Sequence, residues 1–120
     1  MTDKDSNGEN IPFYSWTPHQ SRDPNKPDLI DIRLISTEFW ASDKTDNITV
    51  EVREGINWLK YQMPVKGHDS FNAQLKKLFE QGIAKGTIKV GTHLTIALYR
   101  RKSKRHPDRE PKQFRFLNLH

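Results

Sequence analysis

Eight cations within sixteen positions form the most concentrated chemistry in the chain: Arg100, Arg101, Lys102, Lys104, Arg105, Arg109, Lys112 and Arg115, opposed only by Asp108 and Glu110. The segment carries +6 and the whole 120-residue chain +5, so the remaining 104 residues sum to −1. Charge gathered this way suits a polyanion, because each cation that meets a phosphate releases a condensed counterion. Pro107 and Pro111 interrupt the run and each lacks a backbone donor, which makes a loop of it. The plain alternative is a solvated charge block without a partner.

A single-strand binder also needs flat faces on which unstacked bases can rest. Trp58, Tyr99 and Trp40 are the candidate faces, and Arg53 and Lys60 add cations near Trp58. Each ring has an ordinary alternative role, packed in the core or under a loop.

Nothing comparable points to catalysis. The five histidines, His19, His68, His93, His106 and His120, are dispersed, and cysteine is absent, so no zinc-binding spacing exists. His106 beside Asp108 or Glu110 resembles an acid–base pair, but such neighbours arise by chance in a charged loop. Gly82, Gly86 and Gly91 lack the Lys-Ser/Thr of a phosphate-binding loop, and no Gly-x-Ser-x-Gly elbow occurs. The expectation is a protein that is not an enzyme, with no metal and no cofactor.

The elements that must position these residues follow from periodicity. Residues 1–27 are polar and rich in proline and read as a flexible tail, interrupted by Phe13, Tyr14 and Trp16. Those rings dock on the domain, are simply disordered, or form a short partner-binding motif. Residues 28–120 form the domain. Leu29 to Trp40 is a long strand: Ile30, Ile32 and Leu34 share one parity, Ile35, Thr37 and Phe39 the other, as at a bulge or sharp bend. Ser42 to Asn47 reads as a turn. Ile48, Val50 and Val52 alternate in a second strand, and Ile56 to Met63 forms a third, closed by Pro64 and Gly67. Phe71, Leu75, Leu78 and Phe79 predict one amphipathic helix over residues 69–81, capped by Asp69 or Ser70 and ended by Gly82. Leu94, Ile96 and Leu98 mark a fourth strand, and Phe114, Phe116 a fifth.

Three strands, a helix and two strands, with a bent first strand, resemble the OB-fold, a five-stranded antiparallel barrel with one helix between strands three and four. The resemblance covers residues 28–119 and rests on element order. It implies that ligands lie across strands two and three, flanked by the loop after strand one and the loop between strands four and five. The basic segment would be that last loop. The chain is thus expected to bind single-stranded nucleic acid, DNA in preference to RNA, with little sequence specificity. The contacts would be Arg53, Trp58, Lys60, Tyr99, Arg100, Arg101, Lys102, Lys104, Arg105, Arg109, Lys112 and Arg115. The competing expectation is a small adaptor that binds an acidic protein or a replication or translation component. No apolar run approaches the ~20 residues of a membrane helix, and no signal peptide is recognisable, so a cytoplasmic location is expected.

Overall fold

The computed structural model describes residues 11–16, 21–67, 74–101 and 112–117. The alternating runs become five strands: β1 (Asp28–Ala41), β2 (Thr45–Glu54), β3 (Asn57–Gly67), β4 (His93–Arg100) and β5 (Lys112–Leu117). One helix, α1 (Gln74–Lys85), lies between β3 and β4 in the chain. The strands form one antiparallel sheet in the order β3-β2-β1-β4-β5. The protein is mainly β, as the sequence reading anticipated.

β1 is long because it serves two neighbours. Its first half pairs with β4, from Asp28 opposite Leu98 to Arg33 opposite His93, and its second half continues along β2. The register slips between Leu34, opposite Val50, and Phe39, opposite Ile48. That irregularity is the parity switch read from the sequence. Ile30, Ile32 and Leu34 are buried before it, Ile35 is exposed at it, and Phe39 returns to the core after it. The surplus residues bend the strand, as a bulge does. At the other end of β2, the chain reverses over Gly55 and Ile56 with Glu54 opposite Asn57. Gly55 has φ 65°, which a two-residue hairpin requires of its first turn position.

Three element ends differ from expectation. β2 begins at Thr45, inside the segment expected to be a turn, because Thr45, Asp46 and Asn47 already pair with β3. β3 continues through Pro64 to Gly67, because an edge strand loses no ladder bond where proline lacks its N–H. The extra residue is absorbed as a bulge, with Asn47 opposite Pro64 and Asp46 opposite Lys66. Helix α1 runs through Gly82, four residues beyond the expected end. Gly86, at φ 78°, supplies the left-handed cap instead. Thr87 N donates to Gly82 O at 3.0 Å and Gly86 N to Ile83 O at 3.1 Å, the two bonds of a Schellman cap. Gly82 is needed for another reason: the Ile88 side chain lies across it. The proposed N-terminal caps, Asp69 and Ser70, and Phe71 lie outside the described residues.

The expected barrel is not closed: among the described residues β3 and β5 share no ladder. Other groups occupy the seam. Helix α1 packs on both strands, placing Leu75 and Phe79 in the core, with Phe79 edge-on to Phe116 at 4.9 Å. Gln74 Oε1 accepts the Phe114 N–H at 2.8 Å. Trp16 spans the same gap, donating from Nε1 to Pro64 O at 2.9 Å and meeting the Phe114 ring edge-on at 5.3 Å.

Trp16 belongs to residues 11–16, which run beside β3. Gln62 N donates to Pro12 O and Tyr14 N to Gln62 O, both at 2.9 Å, making a short parallel bridge. Ile11 is buried, and Tyr14 and Trp16 pack against the core cluster. Of the three alternatives for Phe13, Tyr14 and Trp16, docking on the domain is the one the geometry exhibits. Ser21–Pro27 is likewise tied in: Arg100 N donates to Ser21 O at 2.7 Å, and Ser21 N to Asp28 Oδ2 at 3.0 Å.

Candidate nucleic-acid interface

Burial of Ile32, Leu34, Val50 and Val52 on one face of the sheet forces the residues between them onto the other. Arg33 therefore meets Glu51 across β1 and β2, Glu51 meets Lys60 across β2 and β3, and Arg33 meets His93 across β1 and β4. In the adjoining row Arg53 stands opposite Trp58. The outward face of β1–β3 thus carries three cations, one carboxylate and one indole side by side.

The centre of this face is a stack. The Arg33 guanidinium carbon lies 4.1 Å from the centroid of the Trp58 ring, and Arg33 Nη2 pairs with Glu51 Oε1 at 3.1 Å. His93 meets Trp58 edge-on at 5.1 Å. A cation over an indole contributes about 0.5–2 kcal/mol, more as water is excluded. Here it also fixes both planar groups, so the face is preorganised. Arg53 is exposed and donates from Nε to Gly55 O at 3.2 Å; Lys60 is half-buried.

A second aromatic group lies farther along β3 on the same side. Gln62 shares the parity of Trp58 and Lys60, and its Oε1 accepts from both Trp40 Nε1 and Thr49 Oγ1. Phe13 stands 5.8 Å from Trp40, with the ring planes 44° apart. Phe13, Trp40 and the turn Ala41–Thr45 enclose an open cleft of about 490 Å³.

At the other margin of the sheet, Tyr99 pairs with Gln113 and shares the parity of His93, and the exposed Arg115 pairs with Ala97. Arg100 and Lys112 face one another across β4 and β5 at the root of the basic segment. Burial and, secondarily, the Arg100 charge push the Lys112 ammonium below its ordinary pKa. Like charges opposed across a ladder repel. Arg101, one residue past β4, is exposed, while Lys102, Lys104, Arg105 and Arg109 lie outside the described residues.

A third cluster lies on the inward side, at the mouth between residues 13–15 and the hairpin end of β2 and β3. Tyr61 Oη donates to Glu54 Oε1 at 2.8 Å, and Tyr14 meets Tyr61 edge-on at 5.3 Å. Desolvation, then the Glu54 charge, pushes the Tyr14 phenol up to about 12. Among the described residues no group of three His, Asp or Glu side chains is placed to hold a metal ion.

The geometry joins Arg53, Trp58 and Lys60 as the sequence reading grouped them, and places Tyr99, Arg100, Arg101, Lys112 and Arg115 on β4, β5 and their ends. It adds Arg33, Glu51 and His93, which sequence reasoning passed over. The signal for Arg33 was present, since it lies between the inward-facing Ile32 and Leu34. The partnership with Trp58 was not legible, because it depends on register across three strands. No family model, curated protein or solved structure matches this chain.

Proposed function

We propose that this protein binds single-stranded nucleic acid, DNA in preference to RNA, without catalysis and with little sequence specificity. The observation that carries this reading is the Arg33–Trp58 stack, held on the outward face of the sheet between Arg53 and Lys60. A planar indole and guanidinium offer bases a π-surface, and the flanking cations suit the phosphates that join them. The opposed Arg100 and Lys112 support the same reading, since a phosphate between them would relieve their repulsion. So does the +6 segment that continues from that point.

The strand order, the bent β1 and the helix between β3 and β4 favour an OB-like sheet, a fold that is itself partly open and binds strands across β2 and β3. The adaptor alternative is weakened by the N-terminal rings. Tyr14 and Trp16 are engaged within the domain, which removes them as a free docking motif.

Titration with single-stranded DNA, single-stranded RNA and duplex DNA at two salt concentrations tests the proposal. Single strands should bind more tightly than duplex, and affinity should fall steeply with salt. Absence of binding to every nucleic acid at low salt would overturn the reading and leave the adaptor.

A further inference from the structure

By composition Phe13 belongs to a tail, but the fold gives it a fixed position beside β3. Its ring is half exposed, at 49%, although residues 11–16 are otherwise anchored. The anchor comes from backbone bonds on either side of it, through Pro12 O and Tyr14 N, from burial of Ile11 and from the half-buried Tyr14 and Trp16. Phe13 is therefore held in place without being consumed by the core. Across from it stands Trp40, itself fixed by the bond to Gln62. Together they form one wall of the 490 Å³ cleft, whose other side is the turn Ser42–Thr45. The turn is braced: Ser42 N donates to Thr45 O at 2.8 Å, and Thr45 Oγ1 to Asn47 Oδ1 at 2.7 Å.

We infer that this cleft is a second base-stacking station, in which a base of the bound strand lies against the Phe13 and Trp40 rings. The inference rests on the proposed function and extends it to a site built from both the N-terminal segment and the sheet. Three observations give it direction. The Trp40–Gln62 bond that braces the cleft lies on the same side of the sheet as the Arg33–Trp58 stack, because Gln62 shares the parity of Trp58. Gln62 lies four residues from Trp58, so at ~3.3 Å per residue the stations are separated by roughly 13 Å along β3. One strand can thus reach both. Finally, the lining holds one cation and one anion, Lys44 and Asp43, which offset each other. Binding there comes from stacking and little from net charge.

This station differs from the rest of the interface in what it should do to measurements. Its contribution should appear only for strands long enough to span both stations, and it should leave the salt slope unchanged. The test is a fluorescence-anisotropy titration of the full chain with single-stranded DNA of increasing length, at two salt concentrations. Phe13→Leu keeps an apolar side chain and removes the flat face; Phe13→Tyr restores it. Phe13→Leu should weaken binding of the longer strands by roughly 5- to 150-fold, the range one aromatic–base stack contributes. It should leave the shortest strands that bind unaffected, and Phe13→Tyr should recover the parent affinity. If Phe13→Leu binds every length like the parent, the station is overturned while the proposed function stands. If the parent binds no strand at all, both are overturned. A measurement on the unaltered protein guards against a folding defect in the variant. Ultraviolet crosslinking to bromodeoxyuridine-substituted DNA should label peptides that contain Phe13 or Trp40. Crosslinks confined to Trp58 and the basic segment would overturn the station.

Discussion

Gly82→Ala should destabilise the domain although alanine is the better helix former. In an unobstructed helix the change would gain about 1 kcal/mol. Here the new methyl would stand 2.5 Å from Ile88 Cγ1 and 3.2 Å from Ile88 Cβ. The Cβ position is tied to the backbone, which Ile88 N anchors to Gly82 O at 3.1 Å, so rotating the Ile88 side chain gives only partial relief. Ile88 is also buried among the core residues and has little free volume to retreat into. Overpacking of this kind costs about 1–3 kcal/mol, so the net expectation is a loss of up to about 2 kcal/mol after the helix gain. The sign should reverse when the obstacle is removed. Ile88→Ala alone should cost about 2–5 kcal/mol. In that background Gly82→Ala should regain about 0.5–1 kcal/mol, since only the Cβ contact at 3.2 Å persists. Urea unfolding of the four proteins in the cycle, with slopes compared to confirm a common transition, measures the coupling. Stabilisation by Gly82→Ala in the parent, or an equal effect in both backgrounds, would refute the packing argument.

Four further outcomes follow from the interface, the seam and the inward tyrosine cluster. Trp58→Ala should cost roughly 1–3 kcal/mol of single-strand binding with an unchanged salt slope, whereas replacing Arg101, Lys102, Lys104 and Arg105 with alanine should weaken all sequences alike and flatten that slope; isothermal or anisotropy titrations separate the two. Trp16→Ala should lower stability by roughly 3 kcal/mol, because its indole spans the gap between β3 and β5 beside α1 and donates to Pro64 O; a chemical melt of the variant checks it. For Tyr14, the folded phenol stays neutral to about 12, above its ordinary value of 10. Stability from this group is complete below pH 10 and is lost as pH rises from 10 to 12, so Tyr14→Phe should flatten that alkaline decline in pH-dependent melts.

Much of the sheet was legible in the sequence because each strand carries its own period. Ile30, Ile32 and Leu34, then Ile48, Val50 and Val52, alternate strictly, and the parity change near Ile35 announced the break in β1 before any partner was known. Charge was legible for the same reason: the sum over Arg100 to Arg115 needs no coordinates. The end of the helix was misread because Gly82 has two uses, as a stop signal or as a place of close approach. Only the position of Ile88, six residues on, decides between them.

Local period also says which side a residue faces but not which residue stands beside it. That is why Trp58 was identified and its partner Arg33 was not: the pair is made by two strand registers and a stack at 4.1 Å. The N-terminal rings are the clearest case. Phe13, Tyr14 and Trp16 lie among prolines and polar residues that bury too little surface to fold alone. Their docking becomes favourable only once β3 presents the Gln62 backbone and the β3–β5 seam leaves space for an indole. The sequence by itself determined the strands, the helix and the place of the charge, because those depend on neighbours along the chain. The tertiary structure decided the open seam, the segment that fills it and the stack on the outer face, because those depend on surfaces that exist only after the strands have paired.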